Sequence, residues 1–163
     1  MDIAIILVLI GTVTSVGSLL LYFYVIYSNK PFISLIIEEK AITVITRDEY
    51  GDWSEIYYKD KSELYNKENI DEIPENNFRV TLKVLLNNKG NKKATVNRMV
   101  FKTRSVEKEV NIDLIPLDVG ESYMKEYMIP IKDNQEQNAI LNEKWQLEIT
   151  DNREEVHTAR IDF

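Results

Sequence analysis

The stretch "FRVTLKVLL", residues 78–86, decides the fold. Phe78, Val80, Leu82, Val84 and Leu86 alternate with Arg79, Thr81, Lys83 and Leu85. A strict period of two puts the first set on one buried face of a β-strand. The seven residues that follow, "NNKGNKK" at 87–93, are turn chemistry, with Gly90 free to take positive φ. "ATVNRMVF" at 94–101 then returns as a partner strand. Ala94 and Val96 fall out of phase with Met99 and Phe101, which predicts a bulge between them.

Working outward, the same period recurs on both sides. "FISLII" at 32–37 and "AITVI" at 41–45 are rich in β-branched residues and read as strands. "DEYGD" at 48–52 reads as a turn into "WSEIYY" at 53–58. Residues 59–77 form a long polar connection with a short helical turn expected around "SELYNKEN". Downstream, Val110, Ile112 and Leu114 alternate, "YMKEYMIPI" at 123–131 is a further strand, and Trp145, Leu147 and Ile149 mark the next. "TDNREE" at 150–155 closes a hairpin into "VHTARIDF". Roughly eight short strands without a long amphipathic helix predict an all-β, antiparallel β-sandwich spanning residues 30–163.

The order of a long central strand, "NNKGNKKATVNRMVF", "LIPLDVGES" and "WQLEITDNREE" resembles small immunoglobulin-like or fibronectin-III-like domains carried on prokaryotic membrane anchors. The resemblance covers residues 78–163. It implies an immunoglobulin-like sandwich and a binding or structural habit. It carries over no catalytic residue.

The N-terminus has a different character. Residues 3–27 hold no charge, and as a helix would run about 37 Å against a hydrocarbon core of ~30 Å. Tyr22, Phe23, Tyr24 and Tyr27 cluster at its end, as interfacial aromatics do. The expectation is one transmembrane α-helix within residues 1–29, a cell-membrane protein with a single pass. The competing reading is a cleaved signal peptide, with Ser15-Val16-Gly17 as its small-residue site; Met1-Asp2 supplies no basic n-region for it. Lys30, Lys40 and Arg47 all follow the run, which leans the domain toward the cytoplasmic side. Within the run, Ala4, Gly11, Thr14, Ser15 and Ser18 fall on one stripe, a face through which a second helix would pack.

Composition narrows the chemistry. The formal net charge is −7 and the chain has no cysteine, which excludes disulfides, thiolate metal sites and a cysteine nucleophile. The acidic balance argues against nucleic acid as a partner. The single histidine, His157, lies in the last strand with no HxxxH or HExxH frame, and reads as a half-buried strand residue. The paired acids at 38–39, 71–75, 107–109 and 151–155 read as solvated loop charge, and "DNREE" lacks a calcium-loop frame. The five glycines are isolated, so no phosphate loop exists. No catalytic, cofactor-binding or metal-binding residue is expected, and no cofactor.

Two clusters stand out. Between residues 88 and 108, Lys89, Lys92, Lys93, Arg98, Lys102, Arg104 and Lys108 meet only Glu107, a local net of +6. This is either a patch for an anionic partner, centred on Lys89, Lys92, Lys93 and Arg98, or a row of edge lysines that blocks sheet-to-sheet aggregation. Tyr50, Trp53, Tyr57, Tyr58 and Tyr65 are either a recognition surface or core and flank of the sandwich. The functional expectation is a single-pass membrane protein whose sandwich binds or helps assemble another protein. The alternatives are a small subunit of a larger membrane complex held through its helix, and, least favoured, a tethered enzyme.

Overall fold

The computed structural model describes residues 16–25, 32–47, 50–67, 73–74 and 77–161. The chain is mostly β, arranged in two antiparallel sheets around one hydrophobic core. Residues 16–25 are helical (α1). Then follow β1 (Ile33–Arg47), β2 (Trp53–Tyr58), α2 (Lys61–Lys67), β3 (Phe78–Asn88), β4 (Ala94–Lys102), β5 (Glu107–Glu109), β6 (Ile115–Leu117), β7 (Ser122–Ile131), α3 (Asn134–Asn142), β8 (Trp145–Asp151) and β9 (Val156–Ile161).

One sheet has the order β2-β1-β3-β7. The other runs β5-β4-β8-β9, with β6 pairing the same edge of β4 farther along. The chain therefore changes sheet between β3 and β4, returns for β7, and leaves again for β8. The alternating set of β3 lies on the inner face, and Val80, Leu82 and Leu86 are wholly buried. Across the core stand Val96, Met99 and Phe101 of β4 and Trp145, Leu147 and Ile149 of β8. Phe101 meets Trp145 edge to face at 5.4 Å, and the Trp145 indole donates to the Ile140 carbonyl at 2.7 Å. A buried aromatic of this size thus keeps its polar atom paired.

The first two expected strands are one. β1 runs unbroken through the charged "EEK" at 38–40 because its register slips between Ile37 and Glu39. Inward apolar positions are odd before the slip (Ile33, Leu35, Ile37) and even after it (Ile42, Val44). One extra residue reconciles the two phases. The bulge expected in β4 lies between Val96 and Arg98. Helix α3 was not anticipated. Its signal is local: Asp133 caps it by accepting from the Glu136 amide at 2.9 Å, and Glu136 accepts from the amide of Lys132, one residue before the cap, at 2.7 Å.

The expected transmembrane helix needs correction. Among the described residues no helix is long and apolar enough to cross a membrane. The described part, residues 16–25, has ten residues and at ~1.5 Å each spans about half of a ~30 Å hydrocarbon core. The membrane and single-pass assignments lose their support with it. Of the expected packing stripe, Ala4, Gly11, Thr14 and Ser15 lie outside the described residues, as do residues 3–15 and 26–27 of the uncharged run as a whole. Ser18 lies on α1 and is exposed.

Candidate functional site

The outer face of the β2-β1-β3-β7 sheet collects the most unusual surface. Strand alternation fixes which side chains point there. On β2 these are Trp53, Glu55 and Tyr57, opposite Arg47, Ile45 and Thr43 of β1. Tyr58 has the other parity and is buried opposite Ile42. Of the five clustered aromatics, then, Tyr58 belongs to the core, whereas Tyr50, Trp53, Tyr57 and Tyr65 are exposed. The acidic Glu55 between Trp53 and Tyr57 was the available signal, since a carboxylate shares their face.

The rest of the face follows from register. Ile36, Leu85 and Met124 form a transverse apolar row across β1, β3 and β7. Next comes Glu39 on β1 against Lys83 and Glu126. Ala41, Thr81 and Met128 make the third row. Large hydrophobic groups are left open to solvent here: Trp53 is 62% exposed, Met124 53%, Met128 51% and Tyr57 51%. The two aromatics are tied down by partners. The Arg47 guanidinium sits 4.7 Å from the centre of the Trp53 ring, a cation–π contact. Tyr57 donates to Glu55 at 2.7 Å, and Arg79 bonds the other oxygen of Glu55 at 3.2 Å. That hydrogen bond to Glu55 is the main reason the Tyr57 phenol is held above its ordinary range. Lys83 and Glu39 meet at 2.6 Å, and their hydrogen bond lowers the carboxyl and raises the amine.

Between these groups runs a groove of about 500 Å³, lined by Glu39, Ala41, Tyr57, Lys59, Thr81 and Lys83 among others. Thr43 and Thr81 point to the same face but are buried, with hydroxyls 3.0 Å apart. Aromatic, Met and Arg side chains together are the composition of protein interfaces.

The basic run is dispersed by the fold. Lys89, Lys92 and Lys93 share the β3–β4 turn and are exposed. Asn88 holds that turn: its amide nitrogen donates to the Lys92 and Leu117 carbonyls, and its oxygen accepts from Gly90. Lys93 pairs with Asp118 at 2.7 Å. Lys89 and Lys92 make no ion pair among the described residues. Arg98 lies apart, on the sheet, flanked by Glu107 at 3.6 Å and Glu109 at 3.3 Å. Lys102 is bracketed by Glu148 and Glu107, and Lys108 reaches Glu136. Antiparallel pairing of β4 with β5 and β8 thus supplies Glu109 and Glu148, which the 88–108 window does not contain, beside Glu107, which it does.

One titratable cluster escaped sequence reasoning. Asp151, Glu155 and His157 bring one ligand atom each within 4.8 Å of one another. The Asp-x3-Glu-x-His spacing converges only because the β8–β9 turn doubles back, with Glu154 at φ 63°. Asp151 is wholly buried and already engaged. Its Oδ1 accepts from the Arg153 and Glu155 amides at 2.9 and 3.1 Å, and its Oδ2 lies 3.4 Å from His157 Nε2. This carboxylate is the staple of the hairpin.

No family model and no curated protein matches the chain. Among solved structures, the ApaA protein of Bordetella pertussis is 9% identical, with a TM-score of 0.37 over 82% of this chain and 91% of that one. A β-glucosidase of intestinal bacteria involved in saponin metabolism is 13% identical, with a TM-score of 0.34 over 80% of this chain. The match covers 16% of the glucosidase. Neither likeness is close enough to carry an argument.

Proposed function

We propose that this chain is a non-enzymatic binding domain that holds another protein against the outer face of the β2-β1-β3-β7 sheet. The observation that carries the reading is the set of exposed Trp53, Tyr57, Met124 and Met128 on one sheet face, its two aromatics fixed by Arg47 and Glu55. A monomer gains nothing by leaving such groups in water, and rigid aromatics with adaptable methionines anchor interfaces. The sheet changes at β3–β4, β6–β7 and β7–β8 also support an immunoglobulin-like plan, in which one outer face is free for recognition.

The test is retention of a specific protein from the native source by the immobilised domain, compared across variants. Trp53→Ser and Met128→Ser should each reduce retention by about tenfold or more, because an anchor residue of an interface contributes ~2 kcal/mol or more. Both sites are exposed, so thermal stability should hold. Equal retention by wild type and both variants would refute the reading. A Lys89/Lys92/Lys93→Ser triple variant serves as the contrast: loss confined to that variant would move the site to the β3–β4 turn.

A further inference from the structure

Strand β7 ends its sheet, so among the described residues one side of its backbone has no neighbouring strand. Pro130 has no N–H to give a ladder, and its carbonyl accepts from Lys108 Nζ. Residues of that parity therefore point their backbone groups away from β3. These are Met124, Glu126, Met128 and Pro130. The edge is guarded unevenly. Its last part is closed by the proline and by the capping Lys108, which is itself held by Glu136. The part from Met124 to Met128 has neither device.

Beside that open part lies a groove of about 430 Å³ between the two sheets, lined by Lys108, Val110, Lys125, Tyr127 and Ile129 among others. Lys125 has the inward parity, opposite Val84, and its ammonium lies 5.6 Å from the centre of the Tyr127 ring. No carboxylate pairs with Lys125 among the described residues. The acids nearby are Glu109, which serves Arg98, Glu126, which points to the opposite face, and Asp113, which acts on the Tyr127 phenol and makes no ion pair with Lys125 among the described residues. An inward-pointing lysine on an edge normally repels a neighbouring strand. It becomes a selector when the incoming strand brings a carboxylate, because any other side chain leaves the ammonium covered and unpaired.

We propose that β7 takes up an extended segment of another polypeptide as an added strand along Met124–Met128, chosen by an acidic side chain that faces Lys125. Five paired residues would extend ~17 Å. Main-chain bonds supply adhesion, and the Lys125 pair supplies the choice. This edge adjoins the aromatic face proposed above and shares Met124 and Met128 with it, but the strand would be held through backbone groups and Lys125 rather than through Trp53 and Tyr57.

The experiment uses a set of ten-residue peptides alternating Val and Thr, with Glu, Gln or Lys at the central inward position. Binding is followed by fluorescence anisotropy and by backbone amide exchange. The Glu peptides should bind about tenfold more tightly than the Lys peptides, and the amides of Met124, Glu126 and Met128 should exchange at least about tenfold more slowly at saturation. Lys125→Glu should reverse the preference, and Lys125→Gln should abolish it; Lys125 is exposed, so both should fold. Trp53→Ser should leave peptide binding intact, which separates this inference from the aromatic-face reading. Absence of binding by any peptide, protection confined to other amides, or a preference unchanged in Lys125→Glu would overturn it. Concentration-dependent protection of the same three amides without peptide would also overturn it, in favour of a second copy of this chain.

Discussion

Replacing Tyr127 with Phe should stabilise this protein, against the usual direction for losing a hydroxyl. Tyr127 is 6% exposed, and its hydroxyl is fully covered without a hydrogen-bond partner. Burial, and then the nearby Tyr123, pushes its phenol well above the ordinary range; Tyr123 is close enough to perturb it without closing a bond. A buried hydroxyl left unpaired costs ~1–3 kcal/mol. Phe keeps the ring, which belongs to the core cluster, and removes only the oxygen. Taking the low end of that range, to allow for the small void left behind, the gain is about 1 kcal/mol. With an unfolding entropy of ~2.1 cal/mol/K per residue over about 130 folded residues, that raises Tm by roughly 4 °C. Urea unfolding should show a higher midpoint with an unchanged slope, so that the shift reports stability rather than a change in exposed surface. A loss of about 1 kcal/mol instead would mean that the hydroxyl has an acceptor, and would refute the reasoning.

Two further outcomes are expected. Thr43 and Thr81 satisfy each other, so either single Val substitution should cost ~1–2 kcal/mol by orphaning its partner, while the double variant should come back close to wild type. Additive losses in that cycle, measured by urea midpoints, would contradict a mutual bond. Hydrogen bonds hold four carboxyls below their ordinary range: Glu39 through Lys83, Asp60 through Ser62, Glu63 through Lys67, and Glu143 through Ser105. A depressed carboxyl stabilises the fold fully above its unfolded value and loses that contribution as pH falls through the folded one. Tm should therefore decline below about pH 4.5, and less steeply in Glu143→Gln. A flat Tm between pH 5 and 3 would count against it.

The strands were legible where one face meets the core and the other meets water. β3 is the clearest case, because its inward set is uninterrupted and its outward set carries Arg79 and Lys83. β1 was harder. Its apolar parity changes midway, and a pattern that changes phase looks like two strands until pairing to β3 shows a bulge. α3 is short, and its cap at Asp133 with Glu136 three residues on was a weaker signal than any strand period. The N-terminal run misled because hydropathy, length and a terminal aromatic cluster stood for a span. The site was less legible than the fold for a related reason. A window of sequence sees Arg98 and Lys102 as a basic run, while their acids arrive from β5 and β8. The exposure of Trp53 and Tyr57 depends on which side of β1 the hairpin presents, and only Glu55 between them hinted at it.

Asn88 has a consequence for anyone who would engineer this scaffold. One side chain joins the 89–93 loop to the Leu117 carbonyl, 29 positions away, while its main chain exchanges bonds with Gly120 and Glu121. The two loops are therefore a single module. Grafting a foreign sequence onto one of them, or circularly permuting the chain through it, unseats the other. A library built on this end of the molecule has to vary both loops together and keep Asn88 fixed.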